Sequence, residues 1–299
     1  MISAVINTYN EEKNIKKCLS SLLWADEIIV VDMGSTDKTR EIAEEFGAKV
    51  YEHNYVGFVE PARNFGIEKA HGEWVFILDA DERVSQILSK LLLEKSRQKD
   101  INYFRVARKN IIFDKWIKHA GWWPDYQIRF FRKGSVSWVE KIHGIPFTVG
   151  NGFDMEASED LSIIHNNYQS ITQYLTRMDR YTSIMAKELS DSGYYFSVSD
   201  VFGKPVSEFL NRFFAQEGYK DGLHGLSLSL LQAFSELIVY LKVWESIGFK
   251  PHTFSIDDLG RKGRSIAESM NYWLINEQLK KDPSYPRKFI IKLKNKLRI

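Results

Sequence analysis

The chain has 299 residues, 44% hydrophobic and 27% charged, with 41 Lys and Arg against 39 Asp and Glu. That composition is ordinary for a folded soluble protein with room for one large domain or two modest ones. A formal net charge of +2 excludes a strongly basic nucleic-acid binder. Cys18 is the single cysteine, which excludes an internal disulfide framework and suits a reducing cytoplasm.

In chain order, the first hundred residues alternate short apolar runs with helical patterns. Ser3–Asn7, Glu27–Val31, Lys49–Tyr51 and Trp74–Leu78 read as strands, being short and continuously apolar or β-branched. Between them lie helical patterns over 12–23, 36–46 and 61–70. The second is closed by Gly47, and the third has Pro61 in its first turn. Such alternation predicts an α/β fold with a mostly parallel, doubly wound sheet and helices on both faces. From Ile101 to Ile164 the runs become short, alternating and aromatic, which predicts antiparallel additions. Beyond Ser170 the pattern is helical, near 170–191, 205–217, 222–245 and 260–281, so a boundary is expected near 167, with 168–299 a C-terminal helical region.

The N-terminus enters a strand pattern directly, with no basic leader and cleavage site, so no secretory signal is expected. The most apolar segment, Leu223 to Trp244, contains Glu236 and Lys242, which fits a buried or interfacial helix better than a spanning one. The C-terminal PRKFIIKLKNKLRI carries six basic and no acidic residues. Phe289, Ile290, Leu293 and Leu297 share a helical face in it, a pattern suited to peripheral contact with an anionic membrane surface. A docked helix with a solvated basic side has the same pattern.

Four segments carry chemistry. Ligands of open α/β sheets sit beyond the carboxyl ends of the strands, and the first strand ends there in Asn7, Thr8, Tyr9, Asn10, Glu11 and Glu12. Asn10 as a cap of the next helix is the plainer reading. The second strand ends in Asp32, followed by Gly34 and by Ser35 and Thr36 as candidate caps. Arg63 and Asn64 lie in the first turns of the third helix, where arginine offers a planar fork to phosphate or base oxygens. The fourth strand runs into Asp79, Ala80, Asp81 and Glu82. Three carboxylates in four residues repel one another unless a cation joins them, and Mg²⁺ or Mn²⁺ commonly bridges a carboxylate to a diphosphate. A solvated turn capping a helix through Asp81 or Ser85 is the alternative.

TYNEE, VVDMGSTDKT, PARNFGI and GEWVFILDADER, in this order, resemble the family 2 glycosyltransferases over roughly residues 1–85. GWWPDYQIRFFRKG, WVEKIHGIP and AQEGYKDGLHGL are similar to segments of bacterial lipopolysaccharide-core glucosyltransferases, and they extend the resemblance to about residue 245. The resemblance implies the glycosyltransferase-A fold, a UDP-sugar donor, a divalent metal and inverting transfer of a hexose to a lipid-linked or cell-envelope glycan. It implies that Thr8, Tyr9, Glu11, Asp32, Arg63, Asn64, Asp79 and Ala80 border the nucleotide-sugar and that Asp81 ligates the metal. His165 is a candidate further ligand, with a structural hydrogen bond as its other reading. Met33 stands where an acidic or small residue is more usual, and Ile142-His143-Gly144 where Val-His-Glu is common.

Inversion needs a base for the acceptor hydroxyl. Asp125 is the choice, between tryptophans and a strand carrying Arg129, where burial is expected to raise its pKa; Glu140 and His143 are the reserves. Arg129 and Arg132 are candidates for the diphosphate or an anionic acceptor. A nucleotidyltransferase would carry a Gly-rich basic loop after the first strand and a dehydrogenase G-x-G-x-x-G, and NTYNEE is neither. A catalytically inactive nucleotide-sugar or glycan-binding protein on the same fold is the alternative from another class.

Overall fold

The structure is a computed structural model that describes residues 1–55, 57–139, 146–253 and 255–281. The candidate bases Glu140 and His143, and the basic tail, lie outside the described residues. Two compact units divide at Tyr174, one covering Met1–Tyr174 and the other Leu175–Ile299.

The first unit opens with alternating strands and helices: β1 (Ile2–Thr8), α1 (Ile15–Ser20), β2 (Glu27–Asp32), α2 (Thr39–Glu45), β3 (Lys49–Glu52), α3 (Glu60–Lys69), β4 (Trp74–Asp79), β5 (Glu82–Arg83) and α4 (Gln86–Lys95). The strands β6 (Tyr103–Ile112), β7 (Lys115–Trp116), β8 (Asp125–Arg132), β9 (Val136–Ser137), β10 (Phe147–Thr148), β11 (Gly152–Asp154) and β12 (Ile163–Tyr168) follow. The main sheet runs β3-β2-β1-β4-β8-β6-β12-β5, with β7 and β11 also on β6, while β9 and β10 form a separate ribbon. The β3-β2-β1-β4 half is parallel. Beyond it β8 runs antiparallel to both β4 and β6, and β12 returns parallel to β6. The sheet is therefore mixed, with its antiparallel strands where the short aromatic runs stand.

Strand alternation divides the core. Ile2, Ala4, Ile6, Trp74, Phe76 and Leu78 face one side, where Ile15, Leu19 and Leu88 pack. Val5, Val31, Val75 and Ile77 face the other, beneath Ala62 and Ile67 of α3. This period of two places Asn7 and Asp79, aligned in neighbouring strands, on the side that α3 covers. Helix α3 sits close because Gly66 has no side chain: a Cβ there would lie 2.5 Å from Val5 Cγ1 and 2.9 Å from Val31 Cγ2.

Local signals are met in part. Ser85 caps α4, accepting from Leu88 N at 3.0 Å, and Gly47 closes α2 at φ +77°. Asn10 does not cap α1. Its Oδ1 accepts from Thr36 N at 2.8 Å, pinning the β1 loop to the β2 loop.

Helix α5 (Ile171–Asp191) leads into the second unit, which holds α6 (Val198–Leu210), a π-turn at Asn211–Ala215, a 3₁₀ turn at Gly218–Asp221, α7 (Leu223–Ser246) and α8 (Ile256–Lys281). Helix α6 begins before the expected 205 and carries Pro205 inside it. Among the described residues α7 is the one helix long and apolar enough to cross a membrane, with 28% of its apolar window buried.

Candidate active site

The carboxyl ends of β1, β2 and β4 meet the edge made by β5, β6, β8 and β12. At the turn after β4, Glu82 is fully buried, and its Oε2 accepts from Asp79 N at 2.9 Å. The turn is thus closed by its own side chain, which fixes where Asp79 and Asp81 point.

Asp79 turns toward α3. Arg63 Nη2 donates to both its oxygens, at 2.9 and 3.0 Å, and Arg129 Nη2 donates to Oδ2 at 2.8 Å and to Glu82 Oε1 at 2.8 Å. Burial alone would push the Asp79 carboxyl up, but the Arg129 and Arg63 guanidiniums hold it well below the usual carboxylate range. Arg129 itself is 2% exposed, so it is a buried counter-charge and not a surface group awaiting a phosphate. Arg132 lies at the other end of β8, paired with Glu73 and the Gln98 carbonyl, and has no place at this edge.

Asp125 opens β8 opposite Arg108 of β6. Arg108 Nη2 lies 2.6 Å from its Oδ2, Gln127 Nε2 donates to Oδ1 at 2.8 Å, and Asn110 Nδ2 donates to Oδ2 at 3.1 Å. Burial raises this carboxyl, as expected, but Arg108, Asn110 and Gln127 together outweigh it and leave the pKa below its ordinary value. The expectation of a raised pKa is corrected: a cation in contact with an anion favours the charged form more than partial burial disfavours it.

Asp81 faces β12. Asn166 N donates to its carbonyl at 3.0 Å, and His165 Nε2 lies 3.6 Å from Asp81 Oδ1. The other ring nitrogen, Nδ1, is 2.7 Å from Asn110 Oδ1. Among the described residues no three His, Cys, Asp or Glu side chains converge as a metal-binding group. A hard divalent ion needs more oxygens than this pair offers, and Mg²⁺ commonly takes them from substrate phosphates and water. One carboxylate and one imidazole, both largely buried but not sealed off, supply two of the ligands such an ion needs.

The nucleotide-side candidates divide. Thr8 is buried, and its Oγ1 has no partner among the described residues. Asn7 beside it is buried, with both amide atoms unpartnered among the described residues. Unpaired buried polar atoms cost about 1–3 kcal/mol each, so these groups mark a place for a polar ligand. Asp32 is buried and accepts Ser35 Oγ at 2.5 Å and Ser35 N at 3.1 Å. It borders an open cavity of about 970 Å³ with Ser35, His53, Phe58 and Pro61. Tyr9 stacks on Tyr55 at 4.4 Å.

Three candidates are occupied elsewhere. Asn64 donates to Trp138 O at 2.8 Å and accepts from Trp138 N at 2.9 Å. Glu11 accepts from Asn14 Nδ2 at 2.7 Å, and its N–H donates to Thr39 Oγ1 at 2.8 Å. The Ala80 side chain is in the core, which leaves only its backbone for a ligand. Each residue is adjacent to the site in sequence, but strand parity or a loop contact turns its side chain away. Sequence reasoning set no role on Asn110 and left Glu82 open; both sit inside strands or turns where only register shows what they face.

A glycosyltransferase of Rickettsia typhi is 28% identical to this chain over 306 residues, covering 96% of this chain and 99% of its own. The lipopolysaccharide core biosynthesis glycosyltransferase LpsC of Rhizobium meliloti is 26% identical, covering 86% and 96%. Glucosyl-3-phosphoglycerate synthase from Mycobacterium tuberculosis, solved with Mn²⁺, UDP and glucosyl-3-phosphoglycerate, aligns at 17% identity and a TM-score of 0.43, over 66% of this chain and 81% of that one. The model of glycosyl transferase family 2 matches residues 3–159, a span that holds every site residue named above except His165 and Asn166. The chain is a family 2 glycosyltransferase with the glycosyltransferase-A fold.

Proposed function

We propose that the protein is an inverting, metal-dependent hexosyltransferase that uses a UDP-sugar and acts on a lipid-linked or cell-envelope glycan. The observation that carries this reading is the strand edge itself. Asp81 faces His165, while Asp79, two residues away, is held ionised by Arg63 and Arg129 beside the unpartnered Asn7 and Thr8. A donor diphosphate would lie between these two groups. Asp81 and His165 would hold the divalent ion, which supplies charge stabilisation to the departing diphosphate. Asp79, Thr8, Asn7 and Asp32 would hold the nucleoside.

Asp125 is the base in this reading. Its contact with Arg108 keeps it ionised at neutral pH, so it is in the form that can accept a proton from the acceptor hydroxyl. Trp123, packed edge to face on Trp116 at 5.1 Å, offers an apolar face suited to a sugar ring, while Lys109 and Lys118 lie over the Trp116 ring. An envelope acceptor is supported by the similarity to LpsC, and peripheral membrane contact by the charge pattern of the tail.

The test is UDP release from a panel of UDP-hexoses with Mn²⁺. Wild type is expected to release UDP, and Asp81→Ala to lose at least about a hundredfold, the order of a missing electrostatic contact in a transition state, while keeping its fold. Asp125→Asn is expected to lose turnover and keep UDP binding. Undiminished Mn²⁺-dependent release by Asp81→Ala would sink the metal assignment.

A further inference from the structure

Asn110 is fully buried in β6, and no step above uses it. Its carboxamide touches both halves of the proposed chemistry. Nδ2 donates to the Trp122 carbonyl at 2.9 Å and to Asp125 Oδ2 at 3.1 Å, while Oδ1 lies 2.7 Å from His165 Nδ1. Both groups at Nδ2 are acceptors, so the amide has one sensible orientation, with nitrogen toward Asp125 and oxygen toward His165. Oxygen there requires that Nδ1 carry the hydrogen. Nε2, the ring atom 3.6 Å from Asp81 Oδ1, is then the one whose lone pair can serve a cation.

We propose that Asn110 is a positioning residue that sets the His165 ring and the Asp125 carboxylate in one geometry, coupling the metal-binding edge to the acceptor side. The inference rests on the roles proposed above for Asp81, His165 and Asp125. Register supports it: Asn110 stands opposite His165 in the β6–β12 pair, and Arg108, two residues earlier on the same face of β6, stands opposite Asp125. Leucine at 110 would keep the branched shape, though bulkier, and remove the hydrogen bonds to Trp122, Asp125 and His165. Aspartate would keep an acceptor for His165 Nδ1 but set a carboxylate against Asp125.

The two substitutions therefore separate the two functions. In the full chain, Mn²⁺ binding in the presence of UDP is measured by electron paramagnetic resonance. UDP release is measured at saturating Mn²⁺ with UDP-glucose, UDP-galactose and UDP-N-acetylglucosamine in turn. Asn110→Leu is expected to weaken Mn²⁺ binding about tenfold or more, as outer-shell partners of metal-bound histidines do, and to lower kcat. Asn110→Asp is expected to hold Mn²⁺ affinity within about threefold yet lose kcat to a similar degree. That split also carries the test if the leucine variant does not fold.

Wild-type Mn²⁺ affinity in Asn110→Leu, or equal loss of Mn²⁺ in both variants, overturns the His165 half. Unchanged kcat at saturating Mn²⁺ overturns the Asp125 half. Asp125→Asn and His165→Ala run alongside: if both keep full turnover, the underlying roles fail. If both lose it while the Asn110 variants behave as wild type, the coupling alone fails. A wild-type chain that turns over none of the three sugars counts against the UDP-sugar donor proposed above, on which this inference rests.

Discussion

Arg129 shows how one buried side chain organises this edge. It is 2% exposed and its Nη2 bridges Asp79 and Glu82, so it offsets two carboxylates that would otherwise repel across the turn after β4. Removing one member of a buried ion group leaves the others uncompensated and costs about 3–5 kcal/mol. Arg63 remains on Asp79 and Arg108 lies 3.4 Å from Glu82, so Arg129→Leu is expected near the low end, about 3 kcal/mol. Urea denaturation would read this as a lower midpoint; an unchanged midpoint would mean that the two remaining guanidiniums suffice. Arg129 is visible in the sequence only as a charge in an apolar strand. Its partners are 47 and 50 residues away, which no local pattern reports. Separation in sequence also hid the depressed pKa of Asp125: the adjacent tryptophans suggested burial, but Arg108, 17 residues away, arrives from the neighbouring strand.

At the scale of elements, the site depends on how closely α3 lies on the sheet. Alanine at an exposed helix position gains about 1 kcal/mol over glycine. At Gly66 that gain is opposed by a Cβ 2.5 Å from Val5 Cγ1 and 2.9 Å from Val31 Cγ2, both on buried strand residues. Overpacking of this kind costs about 1–3 kcal/mol and is relieved by lifting the helix. Gly66→Ala is therefore expected to be net destabilising in thermal unfolding. It should also raise KM for the donor more than it lowers kcat, because Arg63 rides on the same helix and contacts Asp79. A more stable Gly66→Ala protein with unchanged KM would show that the valines give way instead. The strands and helices of the first unit were largely legible from their apolar runs and helical stripes, whereas α6 spans Val198–Leu210 against an expected 205–217. Ser85 capped as its position suggests, whereas Asn10 was drawn to Thr36 on the neighbouring loop.

For the molecule as a whole, acid sensitivity should come partly from the end of the sheet opposite the site. Glu27 opens β2, where its carboxylate meets Lys49, the Ser3 hydroxyl and His71. Burial would raise its pKa, but Lys49, Ser3 and His71 hold it at about 2, against an ordinary 4.5. The folded state thus favours the ionised form. The stability this adds is fully present above about pH 4.5 and is lost as pH falls toward 2. With Lys49 largely exposed, its worth is about 2 kcal/mol. Stability measured from pH 6 to pH 3 should fall less steeply in Glu27→Gln than in wild type; parallel curves would remove Glu27 from the acid response. Sequence alone determined the α/β order of the first unit, the helical character of the second and the polar strand ends at Asn7, Asp32 and Asp79–Glu82, because periodicity and turn chemistry are properties of neighbouring residues. It did not determine which carboxylate meets a cation and which meets a histidine. Those pairings follow from the order β4-β8-β6-β12 and its register, and charge interactions depend on distance in space, which only the folded sheet sets.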